Sequence, residues 1–176
     1  GAVSKPVGGV LRYDSATAVK CANAVASARD IDDQAGFKRA GGTVTPARLY
    51  LESRGISRVP YPVRAWGSIG IVYFATDLEG TVLAVQVLPL TADGKKDAYF
   101  WPDGVTKRTY AAAYGWNNFA ALRLPGRGIP ILCEGPETAL SVWLSTGRPV
   151  LSCLGIAGFR NLRAGKRVTI AADGAA

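Results

Sequence analysis

The sequence predicts an α+β amino-terminal subdomain with antiparallel hairpins, followed by an α/β subdomain built on a parallel sheet that the end of the chain cuts short. Three observations predict it. Between Ser68 and Trp101, short apolar runs alternate with Asp77-Leu78-Glu79-Gly80 and Thr91-Ala92-Asp93-Gly94-Lys95-Lys96, the punctuation of hairpins. From Ile129 the order becomes apolar run, helix, apolar run, glycine-containing loop, apolar run, which parallel strands with crossover connections require. Composition is globular, because 48% hydrophobic and 19% charged residues exclude disorder of the whole chain.

Element by element, residues 1–44 form a helical lead-in, with a strand expected at Val10 to Tyr13 and an alanine-rich helix from Ser15 to Arg29. Residues 45–128 form the first subdomain. It opens with a helix that Thr45 caps, Pro46 starts and Gly55 stops, with Arg54 at its negative end. Pro60 and Pro62 mark a loop, and strands are expected at Ser68 to Thr76, Val82 to Pro89, Ala98 to Trp101 and Ala120 to Leu124. Residues 129–176 form the second subdomain. Strands at 130–133, 149–154 and 167–172 are separated by a helix from Pro136 to about Ser145 and a short helix near Phe159 to Leu162.

Bulk properties narrow the function. The net charge of +8 attracts polyanions, and because the excess is spread along the chain, any nucleic-acid surface must be assembled by folding. There is no histidine, which removes every His-based triad, and the three cysteines, Cys21, Cys133 and Cys153, lack metal-knuckle spacing. Cys133 and Cys153 fall inside apolar runs and read as small buried hydrophobes in a reducing cytoplasm. No apolar stretch reaches membrane-spanning length, so a cytoplasmic protein with no membrane partner is expected.

The chemistry is expected where parallel strands end. Their carboxyl ends lie along one edge, so residues just past each strand converge there: Glu134, Gly155 and Asp173. Two carboxylates at one edge are what a magnesium site that handles phosphates needs, with phosphate oxygens and water completing the shell. Gly135 and Pro136 begin a helix beside Glu134, and its free amides favour an anion. Glu137 suits a first helical turn for structural reasons alone, and Trp116 and Trp143 read as core.

Glu134-Gly135-Pro136-Glu137-Thr138-Ala139-Leu140, Gly147-Arg148-Pro149-Val150, Cys153-Leu154-Gly155, Asn161-Leu162 and Ile170-Ala171-Ala172-Asp173 together resemble the Toprim domain of phage and plasmid DNA primases. The upstream segments Tyr50 to Ile56, Asp77 to Gly80 and Leu90 to Lys96 resemble the amino-terminal half of the same catalytic core, so the similarity covers roughly residues 45 to 174. The resemblance implies a Rossmann-like Toprim sheet, truncated here, and template-directed nucleotidyl transfer that makes primers on single-stranded DNA from nucleoside triphosphates. It implies Glu134 as general acid or base and Asp173 as a metal ligand, with Glu134 beside it, for magnesium or manganese in its place. A replicative helicase, as domain or partner, is part of the same expectation. The pattern departs at position 175, where the family has a second metal-binding aspartate and this chain has Ala175.

Basic residues interleaved with aromatics suit single-stranded nucleic acid, where bases stack and phosphates pair. Arg54, Arg58, Arg64, Lys95, Lys96, Lys107 and Arg108 are the candidates, with Tyr99, Trp101 and Tyr110 near the last two. Solvated surface charge is the competing explanation for about half of them. Two rivals to the primase stay open: a non-catalytic nucleic-acid-binding module, favoured by Ala175, and a Toprim-type nuclease that uses the same acids to break phosphodiester bonds.

Overall fold

The computed structural model describes residues 15–31, 44–163 and 167–171. The expected strand at Val10 to Tyr13, together with Asp173 and Ala175, lies outside the described residues. Helix α1 (Ser15–Ser27) leads into a two-residue strand β1 (Ala28–Arg29), and after the short helix α2 (Pro46–Glu52) come β2 (Val63–Trp66), β3 (Gly70–Thr76), β4 (Val82–Pro89) and β5 (Arg108–Ala111). A 3₁₀ turn at Trp116–Asn118 precedes β6 (Leu122–Leu124), β7 (Ile131–Cys133), α3 (Pro136–Thr146), β8 (Val150–Ser152), α4 (Ile156–Asn161) and β9 (Thr169–Ala171).

The start of α2 follows from its sequence. Thr45 Oγ1 accepts the Arg48 N–H at 3.1 Å and donates to the Ile31 carbonyl at 2.9 Å, so one buried hydroxyl caps the helix and ties it to the end of the lead-in. Such a cap contributes about 1 kcal/mol. At the other end the chain turns through Gly55 at φ 71°, a conformation costly for any residue with a Cβ.

The first sheet is antiparallel throughout, in the order β1-β2-β3-β4-β5. All seven residues of β3 are buried, because both faces of the sheet are covered. Ile71, Tyr73 and Ala75 face the main core with Tyr50 and Leu51 of α2, whereas Val72, Phe74, Val85 and Val87 pack under Cys21 and Ala24 of α1.

The second sheet has the order β6-β8-β7-β9. Strand β7 pairs in parallel with β8 and β9, and β6 joins antiparallel to β8. The sheet is therefore mixed, a correction to the purely parallel expectation: Leu122–Leu124 supplies the antiparallel edge. Residues alternate across it as period two dictates. Ile131, Cys133 and Val150 face the main core with Ala139 and Leu140 of α3, while Leu132 and Leu151 face Phe159 and Leu162 around α4. The two sheets share one core, and Thr76 and Ala121 exchange backbone hydrogen bonds at 2.9 and 3.1 Å where β3 hands over to β6.

The strand expected at Ala98 to Trp101 is absent, and that stretch is turns and bends. The cause is local: Asp97 Oδ1 accepts the Tyr99 N–H at 2.9 Å and Asp103 Oδ1 accepts the Val105 N–H at 3.4 Å, bonds that compete with a ladder. The partner of β4 is instead Arg108–Ala111, in the register Val85↔Tyr110 and Val87↔Arg108. Strand β2 also goes beyond expectation, because Pro60 and Pro62 stand just before it and not within it.

Candidate active edge

Strand β7 is central, entirely apolar and buried, and the next residue is Glu134, which is half-buried. Its backbone is fixed from the β8 side. The Glu134 carbonyl accepts the Gly155 N–H at 3.1 Å and the Ser152 hydroxyl at 3.2 Å, and the Cys153 N–H bonds the Cys133 carbonyl at 3.0 Å. Leu154 sits at φ 56°, the one described non-glycine residue with positive φ, a conformation that costs about 1–3 kcal/mol. It is held there by burial, by the Ser152 hydroxyl on its N–H at 3.3 Å and by Gln86 Nε2 on its carbonyl at 3.0 Å. Because Gln86 belongs to β4, the first sheet clamps the loop that positions Glu134.

Helix α3 starts immediately afterwards. Its N-cap, Gly135, offers no side chain, Pro136 lacks an N–H, and Glu137 is the acid of the first turn. The Tyr50 hydroxyl donates to Glu137 Oε1 at 2.8 Å, a contact between residues 87 apart in sequence. Arg54 lies over the Tyr50 ring, 4.7 Å from its centroid. Burial, then the neighbouring Glu137 carboxylate, pushes the Tyr50 phenol well above its usual value, so it stays a neutral donor. Tyr73 is wholly buried nearby, raised for the same two reasons in the same order, and its hydroxyl has no hydrogen-bond partner among the described residues. Cys153 is pushed up to about 12 by burial, then by Cys133 and Glu134, which makes it an inert hydrophobe at neutral pH.

The pairing of β7 with β9 brings Cys133 opposite Ala171, so the two strands end at the same edge. Asp173, two residues further on, is outside the described residues, and among those described no group of three or more His, Cys, Asp or Glu side chains is positioned for a metal ion.

The candidate basic residues do not form one track. Arg54 joins the edge through Tyr50, and Arg58 lies 5.0 Å over the Trp143 ring on α3. Arg64 pairs with Asp30 at 2.9 Å and stacks on Tyr61, and Arg108 pairs with Asp103 and stacks on Trp101. The register Arg64↔Val72↔Val87↔Arg108 places these two arginines in one row, three strand spacings or about 14 Å apart. That row lies on the face of the first sheet opposite Tyr73, so the sheet itself separates it from Glu134. Around it stand Trp66, Phe100 and Trp101, with centroids 5.8 and 5.1 Å apart in succession, and Tyr110 with Lys20 at 5.7 Å. Lys95 is bound to Asp93 at 2.7 Å, and Lys96 and Lys107 are exposed.

Sequence reasoning assigned no role to Tyr50, Tyr73, Gln86 or Leu154, although Tyr50 and Leu154 lie within segments that carry the resemblance. The one available signal was a tyrosine placed to face the core on a capped helix. Trp116 packs against the main core as expected, and so does Trp143, whose Nε1 donates to the Pro125 carbonyl at 2.6 Å.

Compared with protein-family models, with curated proteins and with solved structures, the chain matches none. Among the described residues no helix is long and apolar enough to cross a membrane.

Proposed function

We propose that this chain is the catalytic core of a DNA primase of the phage and plasmid type, which joins ribonucleotides on a single-stranded DNA template. The observation that carries the proposal is Glu134 at the end of a central parallel strand, directly before the N-terminus of α3 and on the edge that β9 shares. A carboxylate there can take the proton of an attacking 3′-hydroxyl as its oxygen bonds to the α-phosphorus and pyrophosphate leaves. The first-turn amides of α3 favour the phosphate charge, and Arg54 adds a cation nearby.

The Glu134 carboxylate is the kind of hard oxygen donor that magnesium takes, one or two carboxylates being completed by substrate phosphates. Glu134 and Asp173 would hold it, and when bound it supplies charge neutralisation for the phosphates. Glu137 is already engaged by Tyr50, which assigns it to fixing the helix.

The test is template-directed primer synthesis with magnesium. Glu134→Gln should reduce the rate by about 10²–10⁴-fold while leaving single-strand affinity unchanged. Equal synthesis by both proteins would overturn the assignment. Ala175 favours a second reading, a binding module that engages single strands without synthesis. Binding without synthesis by the unaltered chain would establish that module, and cleavage of labelled DNA without nucleotides would establish a nuclease.

A further inference from the structure

A cleft of about 450 Å³ opens between the end of the first sheet and α4, lined by Tyr114, Trp116, Asn117, Asn118 and Asn161. Its volume lies within the range of roughly 300–1,000 Å³ typical of small-molecule sites. The chain reaches it through Gly115 at φ 72°, which turns the backbone into the 3₁₀ turn, leaves Tyr114 exposed and half-buries Trp116. No lining side chain is charged. None of the three carboxamides makes a hydrogen bond within the described residues, so each keeps a donor and an acceptor free.

We infer that this cleft binds an unpaired nucleobase. Aromatic faces stack on bases of any kind, and a carboxamide matches the paired donor and acceptor on a base edge. A neutral lining suits the base, and cations stand beside it for the attached phosphate. Arg160 is exposed in the last turn of α4, and Arg163 lies 5.7 Å over the Phe119 ring with its N–H on the Asn118 carbonyl at 3.0 Å. Helix α4 also connects the cleft to the active edge: it begins after Gly155, which binds the Glu134 carbonyl, and its six residues span about 9 Å. The choice of ligand rests on the primase reading and deepens it, since both an incoming nucleotide and a template strand present such a base.

Calorimetric titration of the full chain tests this. One arm compares the four ribonucleoside monophosphates with ribose 5-phosphate, and the other compares a short thymidine oligomer with an abasic strand of equal charge. In at least one arm the base should tighten binding by about tenfold or more, the worth of one stacking contact. Which arm responds identifies the source of the base. Tyr114→Ala and Asn118→Ala should each remove about tenfold of that base-dependent affinity, and Tyr114→Phe should retain it. Because Tyr114 is exposed, its replacement leaves the core intact. Base-independent binding in both arms, or base-dependent affinity that survives Tyr114→Ala within about twofold, would overturn the inference. Primer synthesis assayed on the unaltered chain separates the two claims. A cleft that binds bases in a protein that makes no primer leaves the inference standing and removes the primase; primer synthesis with a base-indifferent cleft does the reverse.

Discussion

In the first sheet, charged side chains lie along the strands and each described arginine there is held by neighbours, Arg29 by the Ala26 and Ala28 carbonyls, Arg64 by Asp30 and Tyr61, Arg108 by Asp103 and Trp101. In the second sheet the three parallel strands Ile131–Cys133, Val150–Ser152 and Thr169–Ala171 carry no charge, and the carboxylate comes at the first position past the central one. Arg123 on the antiparallel edge strand fits the first pattern: its guanidinium donates to the Thr76 and Phe119 carbonyls, and burial pulls its pKa down. Charge within these strands is thus engaged by the fold, as are Asp30 and Asp77 just past β1 and β3, which hold Arg64 and the turn amides of Glu79 and Thr81; Glu134 differs from them in standing at the end of a strand paired in parallel on both sides.

The comparison is broken most severely through the core the sheets share. Leu122→Ala removes a wholly buried side chain from β6, and a loss of about 2–5 kcal/mol is expected in denaturant unfolding, with one transition because both sheets depend on the same packing. Two transitions would show that the sheets unfold independently. The tie between them is probed next by Tyr50→Phe, which deletes the hydrogen bond to Glu137 and should cost about 1.5 kcal/mol by the same measurement; an unchanged midpoint would show that this contact contributes nothing.

The smallest effect has the opposite sign. The Tyr73 hydroxyl is buried without a partner among the described residues, so Tyr73→Phe should stabilise the protein by about 1 kcal/mol, and a loss of stability would reveal a hidden partner. Its pH dependence follows from the sign of the shifts. Tyr73 and Tyr50 are raised above 10.0, and Cys153 is raised from 9.0 to about 12, so the folded state holds these protons when the unfolded chain has released them. The stability these groups contribute is therefore fully present below pH 9.0 and falls as pH rises through the window up to about 12. Tyr73→Phe should make that fall shallower, and an identical alkaline slope would count against its burial.

Helices with explicit punctuation were legible in the sequence. Thr45-Pro46 and Gly135-Pro136 mark the starts of α2 and α3, and Gly147 at φ 64° ends α3. Strands next to polar residues were less so: Arg108–Ala111 reads as surface charge, and Ala98 to Trp101 has strand composition but is diverted by Asp97 and Asp103. The edge at Glu134 was legible because a carboxylate following an apolar run is a local signal. Its supports were not, since the contact from Tyr50 to Glu137 and the one from Gln86 to Leu154 join residues 87 and 68 apart. The basic residues were legible as charge but not as a surface, because sequence does not show which face of a strand ends up opposite Tyr73.

The proposal rests most heavily on one divalent ion shared by Glu134 and Asp173. Anomalous diffraction from crystals soaked in manganese tests it most directly. One peak within coordination distance of both carboxylates is the predicted result. A peak elsewhere, or two carboxylates turned apart with no ion between them, would contradict it.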